Sequence, residues 1–431
     1  MLRIQQVGLG EKQRFGYAVI GALLGATIIL SRAWSVFYPY LMDMFGRTDT
    51  ATFAFGSSCM GFGMMVVAPI ICGSLLDKHG PKLTYSISFV CFVCYIICFR
   101  IMCSMTDWEQ AKYLWYLGSF LVGLGVGQYS TTNPSLVTKW NPDRIGKAFG
   151  IADMGSALAV MWIPSFVTFL IPRVGVSNTL TTLGIIACCS VLVLGIILCR
   201  LPEPDWKPAG WAPPKQLETA DQKGTGGLTL KEAARKKEFW CLIACIFFAC
   251  IGGFMFSMNL TPIVIEGCSV KGGLDQDYVV STLVPLIMAV AGVCDAVGRP
   301  LWGFIMDKFK NRWTFLLFVY GCRVIAFVVF LLLYTTATGT IIGTALGFIC
   351  YGGISVAHSS AGVALFGTRK GGAITGATLI AVGIAWVAGP SLSAMVADAV
   401  GYTPAFIVAI ALILVAGVIS MVLAKSTKKA S

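Results

Sequence analysis

Gly73-Ser-Leu-Leu-Asp77-Lys78-His79-Gly80-Pro81-Lys82 returns, in weaker form, as Gly303-Phe-Ile-Met-Asp307-Lys308-Phe-Lys-Asn-Arg312, each matched position 230 residues later. A second pair repeats at nearly the same offset. Arg144-Ile-Gly146-Lys-Ala-Phe-Gly150 matches Lys370-Gly-Gly372-Ala-Ile-Thr-Gly376, 226 residues apart. Two unrelated segments sharing one offset indicate a duplicated unit. Duplicated membrane halves characterise transporters that rock about a central site.

The surroundings of these motifs are apolar. Only 12% of the 431 residues are charged, against about 25% in soluble domains, so the solvent is expected to be a lipid bilayer. Apolar runs long enough to cross about 30 Å of hydrocarbon as helices recur throughout. Twelve can be counted, at roughly 15–38, 53–76, 83–103, 113–137, 148–171, 177–200, 239–263, 279–305, 313–334, 338–366, 372–397 and 403–424. The expected fold class is therefore an all-α membrane protein: twelve transmembrane helices in two pseudo-symmetric bundles of six. Residues 1–200 would form the first bundle, 201–238 a cytoplasmic linker and 239–431 the second bundle. The linker opens with LPEPDWKPAGWAPPKQ, which reads as extended chain, and LTLKEAARKKEF reads as a short amphipathic helix on the membrane surface. GxxxG spacings such as Gly146/Gly150 and Gly372/Gly376 allow helices to approach closely.

The net charge of +12 carries a topology signal rather than a nucleic-acid footprint. With the N-terminus in the cytoplasm, 24 of the 32 Lys and Arg fall in cytoplasmic segments, counting Arg200 at the boundary. Four (Arg47, Lys112, Arg173, Lys271) fall outside, and the other four lie in spans. This asymmetry obeys the positive-inside rule and predicts a multi-pass protein of the plasma (cell inner) membrane with both termini cytoplasmic. No signal peptide is evident. Of 16 cysteines only Cys268 lies in an external loop, so no external disulfide is expected. Cys91 and Cys94 form a CxxC inside the third span, where small apolar filler is the better reading. No metal, cofactor or oligomeric partner is implied, and no Walker-type loop or nucleophile–base pair suggests an ATPase or an enzyme.

Ionisable residues inside spans are the candidate functional groups, because each costs roughly 2.5–3.5 kcal/mol to insert. Asp295 and Arg299 share one face of the eighth span at i and i+4, directly before Pro300. Arginine presents a planar fork of donors that suits a carboxylate, so Arg299 is the first candidate for substrate binding. Asp295 is either a proton acceptor or a fixed partner of Arg299. Arg32, in the outer half of the first span, either completes the anion site from the opposite bundle or snorkels outward. Arg323, mid-way along the ninth span, either pairs structurally within its own bundle, the favoured reading, or contacts substrate. His358 is either a proton carrier or a hydrogen-bonded packing residue. Trp34, Tyr129 and Trp386 are candidate ring contacts for a small planar anion.

The 73–82 loop and its copy resemble the cytoplasmic signature of the major facilitator superfamily. Further blocks are similar to the oxalate:formate antiporter family: Ala33-Trp34-Ser35-Val36-Phe37, Trp140-Asn-Pro142 through Gly150, Phe239-Trp240, Arg299-Pro300-Leu-Trp302-Gly303 and Gly401-Tyr-Thr-Pro-Ala405-Phe406. The Asp295–Pro300 run also resembles the Asp-x-x-x-Arg-Pro of monocarboxylate transporters. The resemblance implies two six-helix bundles around a central cavity and a small carboxylate substrate gripped by Arg299. It also implies that spans five and eight lie side by side, so that Asp153 competes with substrate for Arg299 and closes an inner gate. The family's eleventh-span lysine has no counterpart, since 372–397 contains no lysine. The expected function is therefore proton-coupled transport of monocarboxylates by one chain, with carboxylate exchange as the alternative and a non-transporting receptor as a remote one.

Overall fold

The computed structural model describes residues 6–7, 14–47, 50–203, 207–208, 228–309, 311–366 and 371–429. Most of the linker lies outside the described residues, as does the side chain of Arg32. The described chain is almost wholly helical. Among the described residues eight helices are long and apolar enough to cross a membrane, and one of them, Ile145–Leu198, is long enough at 54 residues for two passes. Its two passes divide at Gly175, whose φ of 79° and ψ of 167° break the helical path. That conformation is left-handed and suits glycine, which has no Cβ to clash.

Three further passes complete the twelve. Gly16–Ile28 and Ala373–Gly389 are shorter apolar helices. Trp108–Trp140 is long but polar in its second half, where Gln128, Thr131, Thr132 and Asn133 are all buried. The first span is not one regular helix. It runs from Gly16–Ile28 through a seven-residue 3-10 segment, Leu30–Val36, into Phe37–Met44. Before the seventh span, the expected short helix is found at Leu230–Ala234. The Thr229 hydroxyl accepts from Glu232 N at 3.2 Å, and Thr229 N donates to the Glu232 carboxylate at 2.7 Å. This reciprocal cap explains where that helix starts.

Two large apolar cores result, as twin bundles require, beside a small cluster of Ala18, Val137, Ala148 and Ala152. One draws on residues from Tyr17 to Cys199. The other draws on Ala233 to Ala424, joined by Ile145 and Phe149 from the fifth span.

The halves meet where side chains are missing. A Cβ on Gly303 of the eighth span would collide with the Gly146 carbonyl of the fifth, and one on Gly150 would lie 2.5 Å from the Arg299 carbonyl. Likewise a Cβ on Gly376 of the eleventh span would lie 2.7 Å from the Pro69 carbonyl of the second. Backbone-to-backbone packing of this kind is what small residues permit in lipid.

The two repeated motifs turn out to be the halves of one reciprocal device. Asp307, from the second copy of the loop, accepts from Gly146 N at 2.7 Å and Lys147 N at 2.8 Å, at the start of the fifth span. Asp77, from the first copy, accepts from Ala373 N at 3.2 Å, at the start of the eleventh span. Each carboxylate caps the N-terminus of a helix in the other half, where unpaired N–H groups and the helix dipole favour negative charge. Asp77 also faces Lys139 Nζ at 3.5 Å. Arg312 folds back to the Met306 carbonyl at 2.8 Å. Lys78 and Lys308 are exposed, while Gly73 is buried and Lys82 partly so.

These contacts close the end of the protein that carries the basic loops. Replacing Asp307 with Ala removes two charge-assisted bonds, worth roughly 1.5–3 kcal/mol each. The distance between probes at the exposed Lys78 and Lys308 should then widen and broaden; an unchanged distribution would show that Asp307 does not hold this end shut.

Candidate functional site

A cavity of about 150 Å³ lies between the halves. In other proteins a space of that size accommodates a benzene-sized guest. Residues from both halves wall it, among them Tyr129, Asn133 and Asp153 from the first and Arg299, Arg323 and Trp386 from the second.

Arg299 is buried, and its surroundings explain how a charge is tolerated there. Four residues N-terminal on the same helix, Asp295 takes it side-on: Arg299 Nε donates to Oδ1 at 3.0 Å and Nη2 to Oδ2 at 2.9 Å. From the fifth span, Asp153 accepts from Nη1 through its carboxylate, and through its backbone carbonyl at 3.2 Å. Ser156 also accepts from Nη1, as does Ser355 at 3.4 Å. Ser355 in turn donates to the Asp153 carboxylate at 2.7 Å. One guanidinium thus bridges two carboxylates, and the second belongs to the other half of the molecule. An incoming anion that takes two parallel bonds from Arg299 competes with a carboxylate for them. Asp153 is the weaker holder, because Asp295 binds through two parallel bonds and Asp153 through one nitrogen.

The other predicted residues divide clearly. Tyr129 is on the cavity wall, but its hydroxyl donates to the Gly21 carbonyl at 3.0 Å and accepts from Asn133 Nδ2 at 3.1 Å. Trp386 is on the wall as well, its ring edge-on to Phe254 with centroids 5.0 Å apart. His358 borders the cavity with both ring nitrogens engaged, 2.7 Å from Tyr320 Oη and 3.4 Å from Cys250 Sγ. Trp34 corrects the expectation. Its ring stacks on Trp115 at 5.3 Å, packs against Tyr95 and Phe99, and donates from Nε1 to Ser119 Oγ at 3.0 Å. It belongs to the core of the first bundle and is not a cavity contact. Arg32 falls outside the described side chains.

Arg323 departs from its favoured reading. Instead of pairing inside its bundle it is fully buried at the cavity wall, and among the described residues Nε, Nη1 and Nη2 have no hydrogen-bond acceptor. Its guanidinium carbon lies 4.9 Å from the Phe327 ring centre and 5.3 Å from that of Tyr351. A sequence signal did exist in the glycine pair of the seventh span. A Cβ on Gly253 would stand 2.8 Å from Arg323 Nη2, so that glycine makes room for the guanidinium.

The model of the Major Facilitator Superfamily matches residues 15–388 and again 279–431. The chain belongs to the major facilitator superfamily. Among curated members of that superfamily, the oxalate:formate antiporter of Oxalobacter formigenes is 23% identical over 337 residues, 78% of this chain and 74% of that protein. An uncharacterised MFS-type transporter of Escherichia coli is 23% identical over 279 residues; the match spans 64% of this chain and 61% of that protein. Solved structures agree on the fold. A bacterial homologue of the iron transporter ferroportin, in an outward-facing state, superposes with a TM-score of 0.70 at 12% identity, covering 94% of this chain and 98% of the other. The superfamily transporter FucP, in its outward conformation, gives 0.67 at 15% identity with the same coverage. This major facilitator protein is thus a multi-pass membrane transporter built on the superfamily fold.

Proposed function

We propose that this transporter carries small carboxylate anions by alternating access, with Arg299 as the group that grips the carboxylate. The observation that carries the reading is the bridge from Arg299 to Asp153. A buried guanidinium on the cavity wall is held across the interface between the halves by an acid that a substrate carboxylate can replace. The likeness to an oxalate:formate antiporter supports the same substrate class. The basic loops support a cytoplasmic side for the closed end and both termini under the positive-inside rule, and a plasma membrane is the proposed location. One chain, with its two bundles joined by the 201–238 linker, suffices for the cycle.

Two couplings each have an observation behind them. Arg299 already faces two carboxylates, so an arriving anion leaves Asp153 without its partner, and a proton on Asp153 returns the cluster to the net charge it carries when empty. That favours proton symport of monocarboxylates. The antiporter relative favours exchange, in which the halves rock only when an anion fills the site. Purified protein in liposomes separates them. Uptake driven by an inward proton gradient alone marks symport, and uptake that requires internal carboxylate marks exchange.

Asp153→Asn tests the competition directly. Removing the competing charge is expected to tighten carboxylate binding about tenfold, the worth of one charge-assisted bond. It should also uncouple uptake from the proton gradient while anion exchange persists. Unchanged affinity and intact proton-driven uptake would exclude Asp153 from both roles.

A further inference from the structure

Arg323 stands apart from the Arg299 cluster. Arg299 has two carboxylates against it; Arg323 has none among the described residues, and no acceptor for any of its three nitrogens. The faces of Phe327 and Tyr351 attract a cation but cannot take up its N–H groups as a carboxylate does. A buried charge left uncompensated inside a bundle is costly and is seldom kept without a use. The residue is not shut away in packing either, because it and Tyr351 form part of the wall of the cavity that holds Arg299. Gly253 keeps space beside Nη2 that any side chain would fill. What the cavity wall holds is a second planar fork of donors, unpaired among the described residues and set beside the Tyr351 ring.

We propose that Arg323 is a second substrate-binding cation, and that the favoured substrates are short dicarboxylates held by Arg299 at one end and Arg323 at the other. The inference rests on the reading of Arg299 as a carboxylate-binding group, and it extends that reading to the substrate's second end. A neutral acceptor there would leave the Arg323 charge standing, whereas a carboxylate cancels it and uses the fork bidentately. The cavity volume of about 150 Å³ restricts the pair to a few carbons.

Isothermal titration calorimetry on the purified full chain tests the proposal with formate, acetate, oxalate, malonate and succinate. Wild type, Arg323→Gln, Arg323→Lys and Arg299→Lys are compared. Wild type should prefer its best dicarboxylate over the monocarboxylates by roughly ten- to hundredfold, the factor one charge-assisted contact supplies. Arg323→Gln should lose that preference, and Arg323→Lys should recover part of it. Melting of the ligand-free protein adds a readout that a structural role would move the other way. Deleting an unpaired charge should leave Arg323→Gln melting no lower than wild type. A clearly lower melting point or a misfolded Arg323→Gln would make Arg323 structural and overturn the proposal. A dicarboxylate preference that survives Arg323→Gln would overturn it too. So would monocarboxylate binding by wild type with no dicarboxylate preference, and both results leave the Arg299 reading standing. Binding of none of the five acids by wild type, with Arg299→Lys indistinguishable from it, would overturn both.

Discussion

Arg299→Ala is expected to abolish carboxylate binding and transport. The substitution removes the fork that the substrate needs, and it strips the buried Asp295 and the part-buried Asp153 carboxylates of their shared partner. Removing one member of a buried ion pair costs about 3–5 kcal/mol, so a loss of thermal stability should accompany the loss of function. Two companions separate the effects. Arg299→Lys keeps the charge but not the paired donors, and should fold while binding carboxylate at least tenfold more weakly. Arg299→Met combined with Asp153→Asn and Asp295→Asn leaves no unpaired charge at the cluster, and should regain stability without regaining transport. Wild-type uptake by Arg299→Ala would remove Arg299 from the site.

Gly303→Val is expected to stop transport in a protein that still folds. Even the Cβ of the new side chain would fall on the Gly146 carbonyl, with Gly146 C at 2.8 Å. Neither is a flexible side-chain end that could swing away. Overpacking of this kind costs about 1–3 kcal/mol, enough to bias an equilibrium between two packed states but not to unfold a bundle. The strain is relieved by parting spans five and eight, so the variant should rest with its basic end open. Gly321→Val provides the control, since nothing lies within 4 Å of a Cβ there. Normal turnover by Gly303→Val would mean that the two spans need not close so tightly during the cycle.

Much of this architecture was legible in the sequence because the signals were long or duplicated. Twenty-residue apolar runs fix spans whatever their packing, and the 230-residue echo fixed the pairing of halves. The Asp295–Arg299 contact was legible because an i, i+4 pair on one helix needs no tertiary knowledge. Asp153 was reachable through its depth in the fifth span together with the side-by-side placement of spans that the resemblance implied. Trp34 was misplaced for a local reason. It lies in the 3-10 segment Leu30–Val36, where the turn per residue departs from that of an α-helix, so helical phase no longer reports which way a side chain points. Arg323 was weighed towards structural pairing because a single mid-span arginine does not show which helices face it. Its place at the cavity wall depends on a residue of another span, Gly253, that leaves room for the guanidinium. The latch function of Asp77 and Asp307 was invisible in either copy alone. It depends on which helix start faces each loop, which is a property of the assembled halves.

The most direct measurement is uptake of radiolabelled small carboxylates into liposomes containing the purified protein, set beside liposomes containing Arg299→Ala. Wild type should accumulate at least one short carboxylate, stimulated by internal carboxylate or by an inward proton gradient, and Arg299→Ala should match empty liposomes. No carboxylate flux above empty liposomes under either drive, or equal flux with and without Arg299, would contradict the assignment of Arg299 to a carboxylate site.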